Sequence, residues 1–211
     1  MLCQACHRFH SGHLLCAGCR QQLRLASDRL LPGGIRLVAA FEHSGPAKTL
    51  IHHFKYRGLA GYADLAASVL AKRLPRLPLV PIPRARTRRI RHGIDPARAL
   101  ANRLAHNLGV PVLSLLQPPL HSQRRAGGDH SRAVTEFRLR QAPEGPILIV
   151  DDVVTTGATM LSAITSMGEN RVRVAVAANA VPGVSSLRHQ ETKSNALGHS
   201  RGTPDPWHQF S

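Results

Sequence analysis

The stretch from Ile147 to Thr159, Ile-Leu-Ile-Val-Asp-Asp-Val-Val-Thr-Thr-Gly-Ala-Thr, constrains this chain more than any other feature. A fully apolar run meets two adjacent carboxylates, passes through a turn rich in hydroxyls and glycine, and enters a helical pattern over Ala158 to Met167. A strand with no polar face must be buried on both sides, as strands in parallel sheets are. The rest of the chain alternates in the same way. Arg36 to Phe41 reads as a strand, Pro46 to Tyr56 and Tyr62 to Leu74 as helices, and Leu79 to Ile82 as a strand. Pro96 to Leu108 reads as a helix, Val110 to Leu116 as a strand, Pro146 to Asp151 as a strand and Val172 to Asn179 as another. Alternation of this kind predicts an α/β fold, a parallel sheet flanked by helices.

The chemistry of the central stretch is that of a phosphate site beside a diol site. Backbone N–H groups of the turn and the positive end of the following helix suit an anion. Thr155, Thr156 and Thr159 add hydroxyl donors, and Gly157 permits close backbone approach. Asp151 and Asp152 would repel a phosphate unless something lay between them and it. A ribose fits that gap, its ring hydroxyls donating to the carboxylates while its 5-phosphate occupies the turn, and a magnesium ion can join the same carboxylates. Ligands of open parallel sheets bind beyond the carboxyl ends of the strands, where this turn lies. An Asp-rich turn that merely caps a helix does not require two acids, three threonines and a glycine in nine residues.

All four cysteines fall in the first segment, residues 1–31, as Cys3-x2-Cys6 and Cys16-x2-Cys19. Two such knuckles complete a four-sulfur tetrahedral shell, so Cys3, Cys6, Cys16 and Cys19 are read as ligands of a structural zinc ion. An iron–sulfur cluster takes the same ligands, and unliganded thiols or a redox pair remain the plain alternative. The segment offers little that could make a core, so metal binding would supply its folding free energy. Residues 32–184 then form the α/β domain, and residues 185–211 are polar, without apolar periodicity, and read as a disordered tail.

Twenty-eight basic residues face 12 acidic ones, a formal net charge of +16. The excess is uneven: between Leu65 and Gly128 Asp95 is the lone acid among twelve basic residues. Clustering of that kind favours a polyanion, whether nucleic acid or a phosphorylated small molecule. Arg84, Arg86, Arg88, Arg89 and Arg91 follow the Leu79–Ile82 strand and face the same crevice as the acidic pair, placed to neutralise a pyrophosphate. The segment His121 to Arg132, rich in Gly and Arg, reads as a loop that closes over the site. No run approaches the length of a membrane span, and Cys3 and Cys6 stand where a signal peptide would begin, so a cytoplasmic protein is expected.

Val150-Asp-Asp-Val-Val-Thr-Thr-Gly-Ala-Thr159 resembles the phosphoribosyl-pyrophosphate (PRPP) motif of type I phosphoribosyltransferases at every defining position. The cysteine knuckle, Phe54-Lys-Tyr-Arg-Gly58, Val80-Pro-Ile-Pro83 with its arginines, and this motif, in that order, resemble the ComF family. The resemblance covers roughly residues 3–182. It implies a type I phosphoribosyltransferase-like sheet, PRPP bound with Mg2+, and a role in uptake or processing of single-stranded DNA alongside DNA-uptake or recombination proteins. It implies ribose contacts from Asp151 and Asp152 and 5-phosphate contacts from Thr155, Thr156, Gly157 and Thr159; Ala158 of the same turn, and Arg84 by its place after the Leu79–Ile82 strand, complete the expected PRPP-binding set. Where the family typically has Arg-Gly-Phe-Asn-Gln after the arginine run, this chain has His92-Gly-Ile-Asp-Pro96, keeping only Gly93.

Two functions follow as expectations. One is a PRPP-binding protein that serves single-stranded DNA handling; aromatic platforms for it are few, namely Phe41, Phe54, Tyr56 and Tyr62. The other is an active enzyme that transfers phosphoribose from PRPP to a nucleobase or amine in nucleotide metabolism. No residue in the sequence clearly recognises a base, and no catalytic residue is assigned.

Overall fold

A computed structural model of the chain describes residues 1–12, 14–85, 93–119 and 136–182. Five strands form one sheet: β1 (Arg29–Leu30), β2 (Arg36–Glu42), β3 (Leu79–Pro81), β4 (Ile147–Val154) and β5 (Val172–Ala180). Their spatial order is β1-β2-β5-β4-β3. All neighbours run parallel except β1, which joins β2 antiparallel at the edge. The helices are α1 (Ala17–Gln21), α2 (Gly45–Arg57), α3 (Ala60–Ala71), α4 (Pro96–Leu108) and α5 (Ala158–Met167). The fold is α/β, as the alternating pattern predicts. Among the described residues, no helix is long and apolar enough to cross a membrane.

The pleat divides each strand between two layers. Along β5, Val174, Val176 and Ala178 face α2, α3 and α4, while Ala175 and Ala177 face α5. On β4 the same division sends Leu148 and Val150 one way and Ile149 the other. Leu100 and Leu104 of α4 are fully buried in the first layer, each contributing roughly 2 kcal/mol of hydrophobic stabilisation. Gly58 ends α2 in the left-handed region at φ 70°, and a Cβ there would lie 3.0 Å from Ile94 Cδ1.

Three expectations change. Val110 to Leu116 is not a strand: it makes isolated bridges, Val112 to Leu79 and Leu116 to Leu139. Pro111 lacks a donor, so the segment exchanges two hydrogen bonds with Leu79 and then diverges, although Leu115 and Leu116 stay buried. Second, β4 does not stop at the acids but continues through Asp151 and Asp152 to Val154, paired with β5 throughout. Third, the first segment contributes to the core. Cys3, Leu15, Cys19 and Leu23 join the layer of α2 to α4, and Ala26 and Leu31 join that of α5. These side chains are scattered without period in the sequence and reach the sheet because β1 brings their segment to its edge. Arg86, Arg88, Arg89 and Arg91, the loop His121 to Arg132 and the tail from Ser185 lie outside the described residues.

Arg73, just past α3, ties that edge down. Its Nη1 donates to the Ala39 carbonyl at 2.7 Å, and its Nη2 donates to the Ala26 carbonyl at 3.0 Å and pairs with Asp28. Asp28 also pairs with Arg36 at 2.7 Å. Arg73→Ala leaves two carbonyls and a carboxylate short of a donor. It is expected to destabilise the protein by about 2 kcal/mol in denaturant unfolding, whereas exposed Arg76→Ala stays within about 0.5 kcal/mol of wild type.

Candidate functional site

Asp151 and Asp152 occupy the carboxyl-terminal part of β4, and the pleat directs them to opposite sides. Asp152 shares its side with Val150 and therefore meets α2, where Lys55 Nζ lies 3.1 Å from Asp152 Oδ1. Asp151 has no such cation among the described residues. Its Oδ1 accepts the backbone N–H of Asp152 at 2.7 Å. Burial, together with the negative charges of Asp152 and Asp95, pushes the Asp151 carboxyl up to about 8 against the opposing pull of Lys55. At neutral pH the protonated form of Asp151 is thereby favoured.

Beyond β4, Thr155 and Thr156 are exposed and Gly157 stands at φ 84° as the first residue flanking α5. A Cβ on Gly157 would lie 3.1 Å from Leu31 Cδ2, so glycine answers both a left-handed backbone and the packing of the first segment beneath it. No side chain caps α5. Its first amides, on Ala158 and Thr159, therefore have no side-chain acceptor among the described residues and follow directly on two exposed threonines, an arrangement that suits an anion. Arg29 Nη2 donates to the Thr155 carbonyl at 3.2 Å and holds the turn from the far edge of the sheet.

Arg84 is engaged within the protein. Its Nη1 donates to the carbonyls of Lys55 at 3.3 Å and Ile94 at 3.2 Å, its guanidinium lies 5.6 Å from the centre of the Tyr56 ring, and its N–H donates to Asp95 Oδ2 at 3.2 Å. Asp95 also caps α4 by accepting from Arg98 N. Arg84 therefore joins the exit of β3 to the end of α2, which carries Lys55, and to the start of α4.

A second polar group lies at the end of β5. Asn179, fully buried, accepts from the Tyr62 hydroxyl through Oδ1 and donates from Nδ2 to the Ala47 carbonyl at 3.0 Å. Its second amide hydrogen points to His43 Nδ1 at 3.4 Å. With the amide so oriented, His43 Nδ1 is the acceptor and its proton sits on Nε2. Burial, then the charges of Lys55 and Lys48, hold His43 below its ordinary range and favour this neutral form.

The sequence reading named the acidic pair and the turn but missed Lys55, His43 and Asn179. Lys55 lies inside the Phe54–Gly58 motif, and nothing in the sequence around it indicates its partner. Asn179 was detectable as a lone amide closing an apolar strand, since such a residue needs buried partners.

At the amino-terminal end, the sulfurs of Cys3, Cys6, Cys16 and Cys19 all lie within 4.8 Å of one another, with Cys6 and Cys16 at 3.7 Å. Zinc–sulfur bonds of about 2.3 Å give a tetrahedron with edges of about 3.8 Å, so this donor set can hold a metal ion such as zinc. All four thiols are free. Burial opposes ionisation of Cys3, yet the amides of Cys6, Cys16 and Ala5 bring it down to about 6. Cys19 is pushed up, by burial and then by its neighbouring thiols. A cation entering the cluster would displace the remaining protons.

No family model matches the chain, and no curated protein matches it. Among solved structures it is similar to an orotate phosphoribosyltransferase from Aeropyrum pernix, at 20% sequence identity over 75% of this chain and 75% of that one, with a TM-score of 0.34. A likeness this slight leaves the site to be argued from its own residues.

Two outcomes are expected. Elemental analysis of the purified protein should find about one zinc per chain, lost in Cys3→Ser together with several degrees of melting temperature; visible absorbance from iron and sulfide would identify a cluster instead. The second concerns pH. The folded protein holds a proton on Asp151 that the unfolded chain releases near its ordinary value of 3.8, so this group's contribution to stability is full below that value and lost as pH rises toward about 8. Asp151→Asn keeps an acceptor for the Asp152 amide but cannot ionise. Its gain in melting temperature over wild type should therefore grow between pH 4 and pH 8 and level off above; a gain independent of pH would contradict the account.

Proposed function

We propose that this chain binds PRPP at the carboxyl end of β4 and works as a type I phosphoribosyltransferase-like protein. The observation that carries the reading is the coincidence, at one end of a central parallel strand, of an acidic pair with an uncapped helix start flanked by threonines. Asp151 and Asp152 accept from the two ring hydroxyls of the ribose. Thr155, Thr156, Gly157, Ala158 and Thr159 enclose the 5-phosphate with hydroxyls and amides.

The donor set also fits magnesium. Among the described residues, two adjacent hard carboxylates are met by one cation, Lys55, and a divalent ion or a proton balances the remainder. When bound, magnesium would offset the charge of the pyrophosphate. Lys55 orients Asp152, and Arg84 fixes Lys55 through its carbonyl. In the transfer, the lone pair of an acceptor nitrogen forms the bond to the anomeric carbon. The bond from that carbon to the pyrophosphate oxygen breaks, pyrophosphate leaves with the electron pair, and the nitrogen's proton passes to solvent.

A ComF-type role in single-stranded DNA handling in the cytoplasm is a second reading. It is favoured by the excess of positive charge between Leu65 and Gly128. Binding of a labelled oligonucleotide that weakens steeply with salt would support it, and binding indifferent to salt would remove it.

Calorimetric titration of PRPP with magnesium tests the first reading. Wild type is expected to bind, and Asp151→Ala/Asp152→Ala to bind about a hundredfold more weakly or not at all, since two charge-assisted contacts are lost. Wild-type protein that fails to bind PRPP would overturn it.

A further inference from the structure

A cavity of about 520 Å³ adjoins the acidic pair on the α2 side of the sheet. It is lined by His43, Lys48, His52, Lys55, Tyr56 and Thr155, among others. Two of these tie it to the proposed phosphoribose site: Lys55 is the partner of Asp152, and Thr155 begins the turn that leads into α5. The volume suits a single small ring system with a substituent.

The lining has a consistent chemistry. Among its described residues there is no carboxylate. Lys55 is balanced by Asp152 at 3.1 Å, whereas Lys48 is exposed and has no ion-pair partner among the described residues. The described lining therefore carries about one uncompensated positive charge, that of Lys48. His52 and Tyr56, one helical turn apart on α2, set their rings 4.7 Å apart and 52° from coplanar. Ile51 and Val153 supply apolar surface between them and the strand. His43 is held by the Tyr62–Asn179 pair with its Nδ1 occupied, which leaves Nε2–H as the donor it can offer a ligand. A flat apolar-edged ring, one cation and a fixed neutral donor together describe a monoanionic aromatic ligand.

We propose that this cavity is the acceptor subsite and that it takes a planar nitrogen heterocycle or aromatic amine bearing one carboxylate. Lys48 and His43 hold the carboxylate, and the ring lies against His52 and Tyr56. The acceptor nitrogen is thereby presented toward the ribose carbon over the acidic pair. The proposal rests on the PRPP reading above and supplies the acceptor recognition that the sequence left unassigned. Lys48 and His43 are positioning residues for the acceptor and touch no part of the proposed phosphoribose site.

The test uses the full chain with magnesium and measures two affinities. The first is for PRPP alone. The second, at saturating PRPP, is for matched probes that differ in one carboxylate: nicotinate against nicotinamide, orotate against uracil, anthranilate against aniline. Wild type is expected to bind at least one carboxylate probe about tenfold or more tightly than its neutral partner. Lys48→Ala should abolish that preference, Lys48→Arg should restore most of it, and PRPP affinity should stay within about twofold in both. Lys48 is exposed on α2, so neither variant threatens folding. PRPP binding without preference for any carboxylate probe would overturn the acceptor proposal while leaving the PRPP reading intact. A preference that survives Lys48→Ala would overturn it equally. Absence of PRPP binding in wild type would remove the PRPP reading and this proposal with it.

Discussion

Two carboxylates on consecutive residues of a strand covered on both faces are costly, and much of the surrounding structure answers that cost. At an effective dielectric of about 20, like charges about 4 Å apart repel by about 4 kcal/mol. The pleat separates Asp151 and Asp152 onto opposite sides of β4, so Lys55 on α2 pairs with Asp152 and reaches Asp151 only through its field. Asp151 is left with a backbone amide and takes a proton instead. Asp95 adds a further negative field at Asp151, so once that proton is lost the pair is short of positive charge. A group that donates to both acids, or a cation that joins them, meets an existing electrostatic need there. The ribose diol and magnesium of the proposed function are two such groups.

Holding Lys55 in place is a task shared by three elements. Gly58 stops α2 three residues beyond it, in a left-handed backbone conformation that a side chain would strain. Arg84 then fastens the Lys55 carbonyl from β3, and the same guanidinium reaches Ile94 at the threshold of α4. Asp95 completes the joint by accepting from Arg84 N while capping α4. The arginine nearest the strand thus serves geometry, which its charge alone would not suggest.

Apolar run length made β4, β5 and the parallel class legible, because a strand with two buried faces leaves a continuous pattern in the sequence. The same pattern misplaced the end of β4, since it treats the first charge as a boundary. Ladder hydrogen bonds depend on the backbone, and Asp151 to Val154 keep theirs. At Val110 to Leu116 the error ran the other way: an apolar run containing Pro111 packs as core without building a ladder. The acidic pair and the turn were legible because they are contiguous. Lys55 and Asp152 lie 97 positions apart, and nothing local to either announces the other. Tyr62 and Asn179 are similarly remote, 117 positions apart.

Helix α2 explains why these distant groups converge. Leu50, Ile51 and Phe54 face the sheet layer, Lys48, His52, Lys55 and Tyr56 line the cavity, and His53 turns toward the cysteine knuckle. There His53 lies 5.7 Å from the His7 ring. Cys3, Leu15 and Cys19 pack in the same layer as Leu50 and Phe54. The knuckle is therefore part of the wall against which α2 rests, and α2 in turn sets the position of Lys55 at the acidic pair. One helix with three occupied faces can spare only a narrow apolar stripe. Its sequence accordingly mixes lysines, histidines and a tyrosine among few aliphatic residues, a composition that a helix with only a core face and a solvent face would not require.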